Sequence, residues 1–219
     1  MSTVLITVAD DALGAPLTDH LARLLAERGY RVDRLCDDEL ARLDDAALSA
    51  CLGGVACVIH LSEAVPPLTD LDQYAGYRRN VLVTRRLLVA CRARPESQRP
   101  RVMLRSAPDA ALAQPVDSYG RQKAECEALL RASGVEHLIF RIGAAPSAEL
   151  ALAVANALDQ GRFDGQTIEL GQMRAAQARH GEQTWLATQR TRWGLLRRAL
   201  RSAGAFIGGG NAARTRVRS

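Results

Sequence analysis

Val4-Leu5-Ile6-Thr7-Val8 is an apolar run rich in β-branched side chains, the pattern of a strand buried in a parallel sheet. After a turn, leucines recur at helical spacing as far as Gly29, which has the position of a glycine that ends a helix. Residues 30–36 form a second strand-like run that ends at Asp37-Asp38. The succession of strand, helix and strand within about 35 residues predicts a β-α-β unit.

The same alternation continues along the chain and predicts an α/β fold with a doubly wound parallel sheet and helices on both faces. Further strands are expected within residues 54–62, 101–105, 135–143 and 166–170, and helices within 74–92, 118–134 and 150–158. Between residues 38 and 52 we expect one helix, with any further strand missing or vestigial. His60, inside an apolar strand, is expected to be a hydrogen-bonded core residue.

Composition favours one sizeable domain, because 47% of the 219 residues are apolar while few are aromatic, which indicates a core of Leu, Val, Ile and Ala. The five cysteines are widely spaced and include no C-x-x-C pair, so neither a disulfide framework nor a metal site is expected. Because no apolar run reaches 18 residues and the N-terminus lacks the features of a signal peptide, a cytoplasmic protein is expected.

Charge divides the chain into an expected domain over residues 1–182 and a basic tail over 183–219. The tail carries eight arginines and no acidic residue, whereas residues 1–182 are mildly acidic. Its apolar positions, among them Trp193, fall on one side of a helix, which predicts a basic amphipathic helix followed by a disordered end. This helix could dock on the domain or self-associate into a homo-oligomer, or bind an acidic partner or the inner membrane surface; nucleic acid is the least favoured partner.

The strongest chemical signal is a set of three side chains, Ser106, Tyr119 and Lys123. Lys123 is the only lysine among 29 basic residues, and surface charge alone would not distinguish lysine from arginine. The spacing from Tyr119 to Lys123 places both side chains on one helix face, where an ammonium lowers the pKa of a phenol. Ser106, at a strand end, could then hydrogen-bond the reacting oxygen. The alternative is a surface lysine paired with Glu127.

With these motifs, the layout resembles the short-chain dehydrogenase/reductase superfamily, and within it the NAD-dependent epimerase/dehydratase branch. Residues 54–62 resemble the family segment G-V-D-x-V-I-H-L-A, and residues 80–88 resemble its N-V-x-G-T-x-N-L-L helix. Ser106 with Y-x-x-x-K resembles its catalytic set, and residues 135–143 resemble its strand ending in R-P-G. The resemblance covers residues 4–146, about two thirds of the chain.

The resemblance implies a Rossmann-like NAD(P)-dependent oxidoreductase or epimerase acting on a nucleotide sugar or another small carbinol or carbonyl substrate. Ser106, Tyr119 and Lys123 would be catalytic. An acid at Asp37 implies a slight preference for NAD over NADP. The residues that the resemblance assigns to the cofactor are Gly14, Asp37, Leu61, Ser62, Asn80 and Lys123.

The first turn of the chain departs from the family, whose G-x-x-G-x-x-G motif falls on Val8, Asp11 and Gly14. A carboxylate at Asp11 would oppose two phosphates where an anion site is required. The family's third strand is missing or vestigial, and the C-terminal region is too short to form a large substrate domain. The alternative function is therefore a non-catalytic relative, a binding or scaffold protein whose basic tail contacts a partner or a membrane.

Overall fold

The computed structural model describes residues 1–8, 14–62, 70–115, 117–143 and 146–170. Its strands are β1 (Thr3–Val8), β2 (Arg31–Cys36), β3 (Val55–His60), β4 (Arg101–Ser106), β5 (His137–Ile142) and β6 (Asp164–Leu170). They form one sheet in the order β2-β1-β3-β4-β5-β6, and every neighbouring pair is parallel. Because all the strands run one way, their carboxyl ends share a single edge of the sheet.

Helices connect the strands. They are α1 (Gly14–Glu27), α2 (Asp37–Arg42), α3 (Asp45–Cys51), α4 (Asp70–Tyr77), α5 (Val83–Ala93), α6 (Ser118–Ala132) and α7 (Ser147–Asp159). A π-helical turn, Arg78–Leu82, joins α4 to α5, and short 3₁₀ turns lie at Glu96–Gln98 and Pro108–Ala111.

Two apolar cores cover the two faces of the sheet. On one face, Leu21 of α1 and Val154 of α7 are buried with alternate residues of the strands, such as Ile6. On the other, Leu87 of α5 and Leu130 of α6 are buried together with the remaining strand residues. The doubly wound α/β fold predicted from the sequence is confirmed, because each strand alternates its side chains between two helical layers.

The segment between β2 and β3 is described throughout and contains no strand, as predicted. It holds two short helices where the sequence suggested one, because α2 begins at Asp37 directly after β2. Asp44 caps α3 by accepting a hydrogen bond from the backbone N–H of Ala47 at 2.7 Å. With no strand in this segment, β2 is an outermost strand of the sheet.

The strand order reverses between β1 and β3. In open α/β sheets, ligands bind outside the carboxyl ends of the strands at such a switch point. The edge formed by Val8, Cys36, His60 and Ser106 is therefore where the fold favours a site.

The predicted basic tail, residues 183–219, lies outside the described residues, as do residues 171–182, so the domain boundary stays a prediction. Within the described ranges, no helix combines the length and the apolar character needed to cross a membrane.

Candidate active site

Helix α6 carries Tyr119 and Lys123 and begins one residue before Tyr119. Its first turn is capped by Asp117, whose Oδ1 accepts a hydrogen bond from the backbone N–H of Gly120 at 2.7 Å. Burial, and then the charge of Asp117, raises the pKa of Asp109 in the preceding 3₁₀ turn. This turn packs closely on the first turn of α6, where a Cβ added at Gly120 would lie 3.1 Å from Cβ of Asp109.

Lys123 is buried against the end of β4, with 2% of its surface exposed. Its Nζ lies 5.5 Å from the centroid of the Tyr119 ring and donates a hydrogen bond to the backbone oxygen of Arg105 at 3.3 Å. The alternative of a surface lysine is therefore wrong. Tyr119 and Lys123 are therefore neighbours on one face of α6, while the lowering of the phenol pKa by Lys123 stays a prediction.

Ser106 ends β4 and is also almost fully buried, with 2% exposed. Its Oγ donates a hydrogen bond to Oε1 of Glu127, one helical turn beyond Lys123, at 2.7 Å. A hydroxyl has a single proton, so in this structure Ser106 offers only its oxygen lone pairs to any other group. The predicted role of Ser106 as a donor to a reacting oxygen stays a prediction, and it requires this hydrogen bond to break.

Glu127 is 1% exposed and accepts from three side chains. Arg141 of β5 binds both carboxylate oxygens at 2.8 Å, and Arg131 binds Oε2 at 2.9 Å. Burial opposes ionisation of this carboxyl, but the hydrogen bonds from Arg141, Ser106 and Arg131 outweigh it and hold the pKa of Glu127 below its usual value. Glu127 is thus an ionised carboxylate that joins α6 to β4 and β5.

Asn80, predicted to contact the cofactor, lies in the π-helical turn and is 1% exposed. Its Nδ2 donates to Oε1 of Gln122 at 2.7 Å, and its backbone oxygen accepts from the thiol of Cys126 at 3.3 Å. Both partners belong to α6, so Asn80 joins the helix that carries Tyr119 to the π-helical turn before α5, in the same helical layer.

A buried chain of hydrogen bonds crosses the switch point. Oγ1 of Thr84 donates to the backbone oxygen of Asn80. The ring of His60 hydrogen-bonds Oγ1 of Thr84 through Nε2 at 2.9 Å and Oγ1 of Thr7 through Nδ1 at 2.7 Å. His60 is a hydrogen-bonded core residue, as the sequence indicated.

The remaining predicted cofactor residues all lie at the carboxyl edge near the switch point. Gly14 begins α1, and Asp37, 7% exposed, follows β2. Leu61 and Ser62 follow β3 and donate their backbone N–H groups to Thr7 of β1, at 3.2 and 3.3 Å. The turn from residue 9 to residue 13, including Asp11, lies outside the described residues.

The structure brings the predicted residues into two groups on one edge. Gly14, Asp37, Leu61 and Ser62 surround the switch point, whereas Ser106, Tyr119 and Lys123 lie where β4 meets α6. No cluster of three or more His, Cys, Asp or Glu residues suited to a metal ion occurs in the described part of the chain.

Solved structures with the same architecture include dTDP-4-dehydrorhamnose reductase from Bacillus anthracis in complex with NADP, with a TM-score of 0.64 and 12% identity over 79% of this chain and 76% of that one. A short-chain dehydrogenase/reductase from Vibrio parahaemolyticus matches with a TM-score of 0.60 and 15% identity over 78% and 100%. This chain has the fold of the short-chain dehydrogenases. The enzyme WbmH from Bordetella bronchiseptica in complex with NAD+ shares the fold too, with a TM-score of 0.56 and 17% identity over 73% and 72%.

No protein-family model matches the sequence, and no curated protein matches it. The likeness to the short-chain dehydrogenases is therefore one of fold, and it confirms the sequence resemblance at that level.

Within the short-chain dehydrogenase fold, sequence reasoning missed the role of Glu127 and of its partner Arg141. A signal was present, because Tyr119, Lys123 and Glu127 follow one another at intervals of four and share a face of α6. Nothing in the sequence shows that Arg141, on a separate strand, reaches the same carboxylate.

Two open hollows in the described surface lie along α5. One of about 340 Å³ is lined by Arg79, Leu82 and Arg86, and one of about 420 Å³ by Leu82, Val89 and Ala93, among others. Neither contains a predicted site residue.

Proposed function

We propose that the chain is an NAD(P)-dependent oxidoreductase of the short-chain dehydrogenase type. In the oxidative direction, the substrate carbinol carbon would give a hydride to the oxidised nicotinamide, and its hydroxyl would give a proton to the phenolate of Tyr119. The products are a carbonyl compound and the reduced cofactor. The observation that carries this proposal is the buried Lys123 ammonium beside the Tyr119 ring at the edge where the fold favours a ligand.

Lysine suits this position better than arginine. The ammonium of Lys123 lies between the Tyr119 ring and the backbone oxygen of Arg105, and the planar guanidinium of an arginine would be wider than this compact group. The ammonium would stabilise the phenolate of Tyr119 and, as the family resemblance implies, would contact the nicotinamide ribose.

Gly14, Asp37, Leu61 and Ser62 would hold the cofactor at the switch point. The carboxylate of Asp37, at the end of β2, suits the hydroxyls of the adenosine ribose, which supports NAD over NADP. Two of the similar structures are complexes with NADP and NAD+, respectively, which supports the cofactor class. A nucleotide sugar is a candidate substrate, because the Bacillus anthracis protein is a dTDP-4-dehydrorhamnose reductase.

Calorimetric titration of the full chain with NADH and NADPH tests the proposal. We expect saturable binding with a Kd below about 1 mM, tighter for NADH. Tyr119→Phe should keep that affinity and lower turnover about 10²- to 10⁴-fold, the range for loss of a general acid or base. Absence of saturable binding for both dinucleotides would rule the proposal out.

The second candidate function, a non-catalytic binding or scaffold protein, is favoured by Ser106. Its only proton is engaged by Glu127, and Val8 and Asp11 occupy positions where the family has glycine. Asp11→Gly separates the two candidates if the native chain does not bind dinucleotide. Binding that appears in the variant means that one carboxylate blocks an otherwise competent site, whereas continued absence of binding supports the scaffold.

The basic tail gives the scaffold candidate a testable partner, an anionic membrane surface. The full chain should co-sediment with phosphatidylserine vesicles at low salt and dissociate as salt is raised, because the attraction is electrostatic. Deleting residues 183–219 should abolish co-sedimentation, and vesicles of phosphatidylcholine alone provide the control. Equal binding to both kinds of vesicle would contradict an electrostatic role for the arginines.

A further inference from the structure

Glu127 connects three elements of the fold through four hydrogen bonds. Its carboxylate accepts one from Ser106 at the end of β4, two from Arg141 on β5, and one from Arg131 on its own helix. The two arginines alone would satisfy the charge of this buried group. The bond to Ser106 is therefore an additional connection, directed at the end of β4 next to the candidate site.

The end of β4 is also where Lys123 is held. The Lys123 ammonium donates to the backbone oxygen of Arg105, and the next residue, Ser106, donates to Glu127. Lys123 and Glu127 are one turn apart on α6, so two adjacent residues of β4 are fastened to two successive turns of one helix face. Motion of Ser106 away from Glu127 would move the oxygen that holds Lys123.

We propose that Glu127 is a positioning residue for Lys123 and acts through Ser106, which uses its hydroxyl proton to fix the end of β4 rather than to donate to a substrate oxygen. The importance of this positioning for catalysis rests on the proposed oxidoreductase function. The positioning itself is a property of the folded chain that can be measured without cofactor or substrate.

Because Lys123 is the only lysine, its exposure can be measured directly. The full chain is treated with an amine-acylating reagent, and the modification of Lys123 is followed by peptide mass spectrometry, separately from that of the N-terminal amine. In the native protein Lys123 should react slowly, since it is 2% exposed. Three variants are compared with it: Glu127→Gln, Ser106→Ala and the double variant.

We expect Ser106→Ala and Glu127→Gln each to accelerate the acylation of Lys123 about tenfold or more by local opening. The double variant should react no faster than the faster single variant, because both changes break one connection. Glu125→Gln is the matched control on the same helix. Glu125 is exposed and accepts from Tyr77, so its variant should stay within about twofold of native.

Acceleration in Glu127→Gln with none in Ser106→Ala would overturn the proposal, since Glu127 would then act by its charge or its ion pairs alone. Acceleration that follows the loss of global stability across low denaturant concentrations would overturn it too, because the opening would be global. If the protein turns over substrate, a loss in Ser106→Ala more than about 100-fold beyond that in Glu127→Gln would show that the serine serves the reacting oxygen. Failure of dinucleotide binding leaves the acylation measurement unaffected, so the two proposals can fail separately.

Discussion

A lone lysine among arginines indicates a position where a compact ammonium matters, and burial shows why Lys123 is that position. An arginine at this site would have to place a wider, planar group between a phenol ring and a backbone oxygen. Glu127, read from the sequence as a surface partner for Lys123, is instead the most heavily hydrogen-bonded carboxylate of the described site. The same face of α6 therefore carries the Tyr119–Lys123 pair that we propose for proton exchange and the carboxylate that binds Ser106, Arg131 and Arg141.

Glu127→Gln tests how much the carboxylate of Glu127 contributes to the free energy of unfolding. Removing one partner from a buried ion-pair network leaves a charge uncompensated, so we expect the free energy of unfolding at pH 7 to fall by about 3 kcal/mol. Because the pKa of Glu127 is lower in the folded chain than in the unfolded one, its contribution is present above the unfolded value, about 4.5, and is lost as the pH falls through the folded value. Urea denaturation between pH 7 and pH 3 should show that the difference in the free energy of unfolding between native protein and variant becomes smaller as the pH falls. A constant difference would contradict the linkage.

Helix α6 depends on one glycine in its first turn. A Cβ added at Gly120 would lie 3.0 Å from Cβ of Pro115, 3.1 Å from Cβ of Asp109 and 3.3 Å from Oδ1 of Asp117. The segment before α6 therefore packs directly on the backbone of the helix. This close approach, rather than any need for a positive φ, explains the glycine next to Tyr119.

Gly120→Ala is expected to destabilise the protein even though alanine is the better helix former. Helix propensity favours alanine by about 1 kcal/mol, whereas forcing a methyl group into a packed contact costs about 1–3 kcal/mol. We therefore expect a net loss of about 1 kcal/mol in denaturant unfolding. Ala128→Gly, on the exposed side of the same helix, should lose about 1 kcal/mol from propensity alone and serves as the control. A stabilised Gly120→Ala variant would mean that the contact relaxes freely.

At the scale of the whole molecule, burial in the two cores distinguishes three cysteine thiols from the two that solvent reaches. Cys57 of β3 lies in the core that α1 and α7 cover, whereas Cys91 of α5 and Cys126 of α6 lie in the core on the other face of the sheet. Burial raises the pKa of Cys57 and of Cys91 to about 12, and it also raises the pKa of Cys126. Cys51, at the end of α3, is exposed, and Cys36 is half-buried.

A thiol reagent at pH 8 should therefore modify Cys51 first and Cys36 more slowly, while the three buried thiols react only as the chain unfolds. Cys51→Ser should remove the fast phase and leave the rest unchanged, and all five thiols should react in concentrated denaturant. Rapid modification of all five thiols in the native protein would contradict the burial of Cys57, Cys91 and Cys126 in the two cores.

Much of the architecture was predictable because a parallel strand buried on both faces requires a continuous apolar run, which is visible in the sequence. Val4–Val8 and the run ending at His60 are continuous apolar segments, and the leucines of α1 recur at helical spacing. The second helix after β2 was missed because Asp37 reads equally well as a strand end and as the first residue of a helix. Ser106, Tyr119 and Lys123 were singled out by the lone lysine, by their spacing, by the position of Ser106 at a strand end and by the family resemblance, but their partners were not.

The sequence by itself determined the α/β class, the missing strand after β2 and the pairing of Tyr119 with Lys123, because each depends on neighbours along the chain or on periodicity. Only the tertiary structure decided that Lys123 is buried, that the hydroxyl of Ser106 donates its hydrogen bond to Glu127, and that Arg141 binds the same carboxylate. Those contacts join β4, β5 and α6, whose relative positions arise from packing on the sheet. Hydrogen-bond partners of this kind are set by distance in space, which residue spacing does not record.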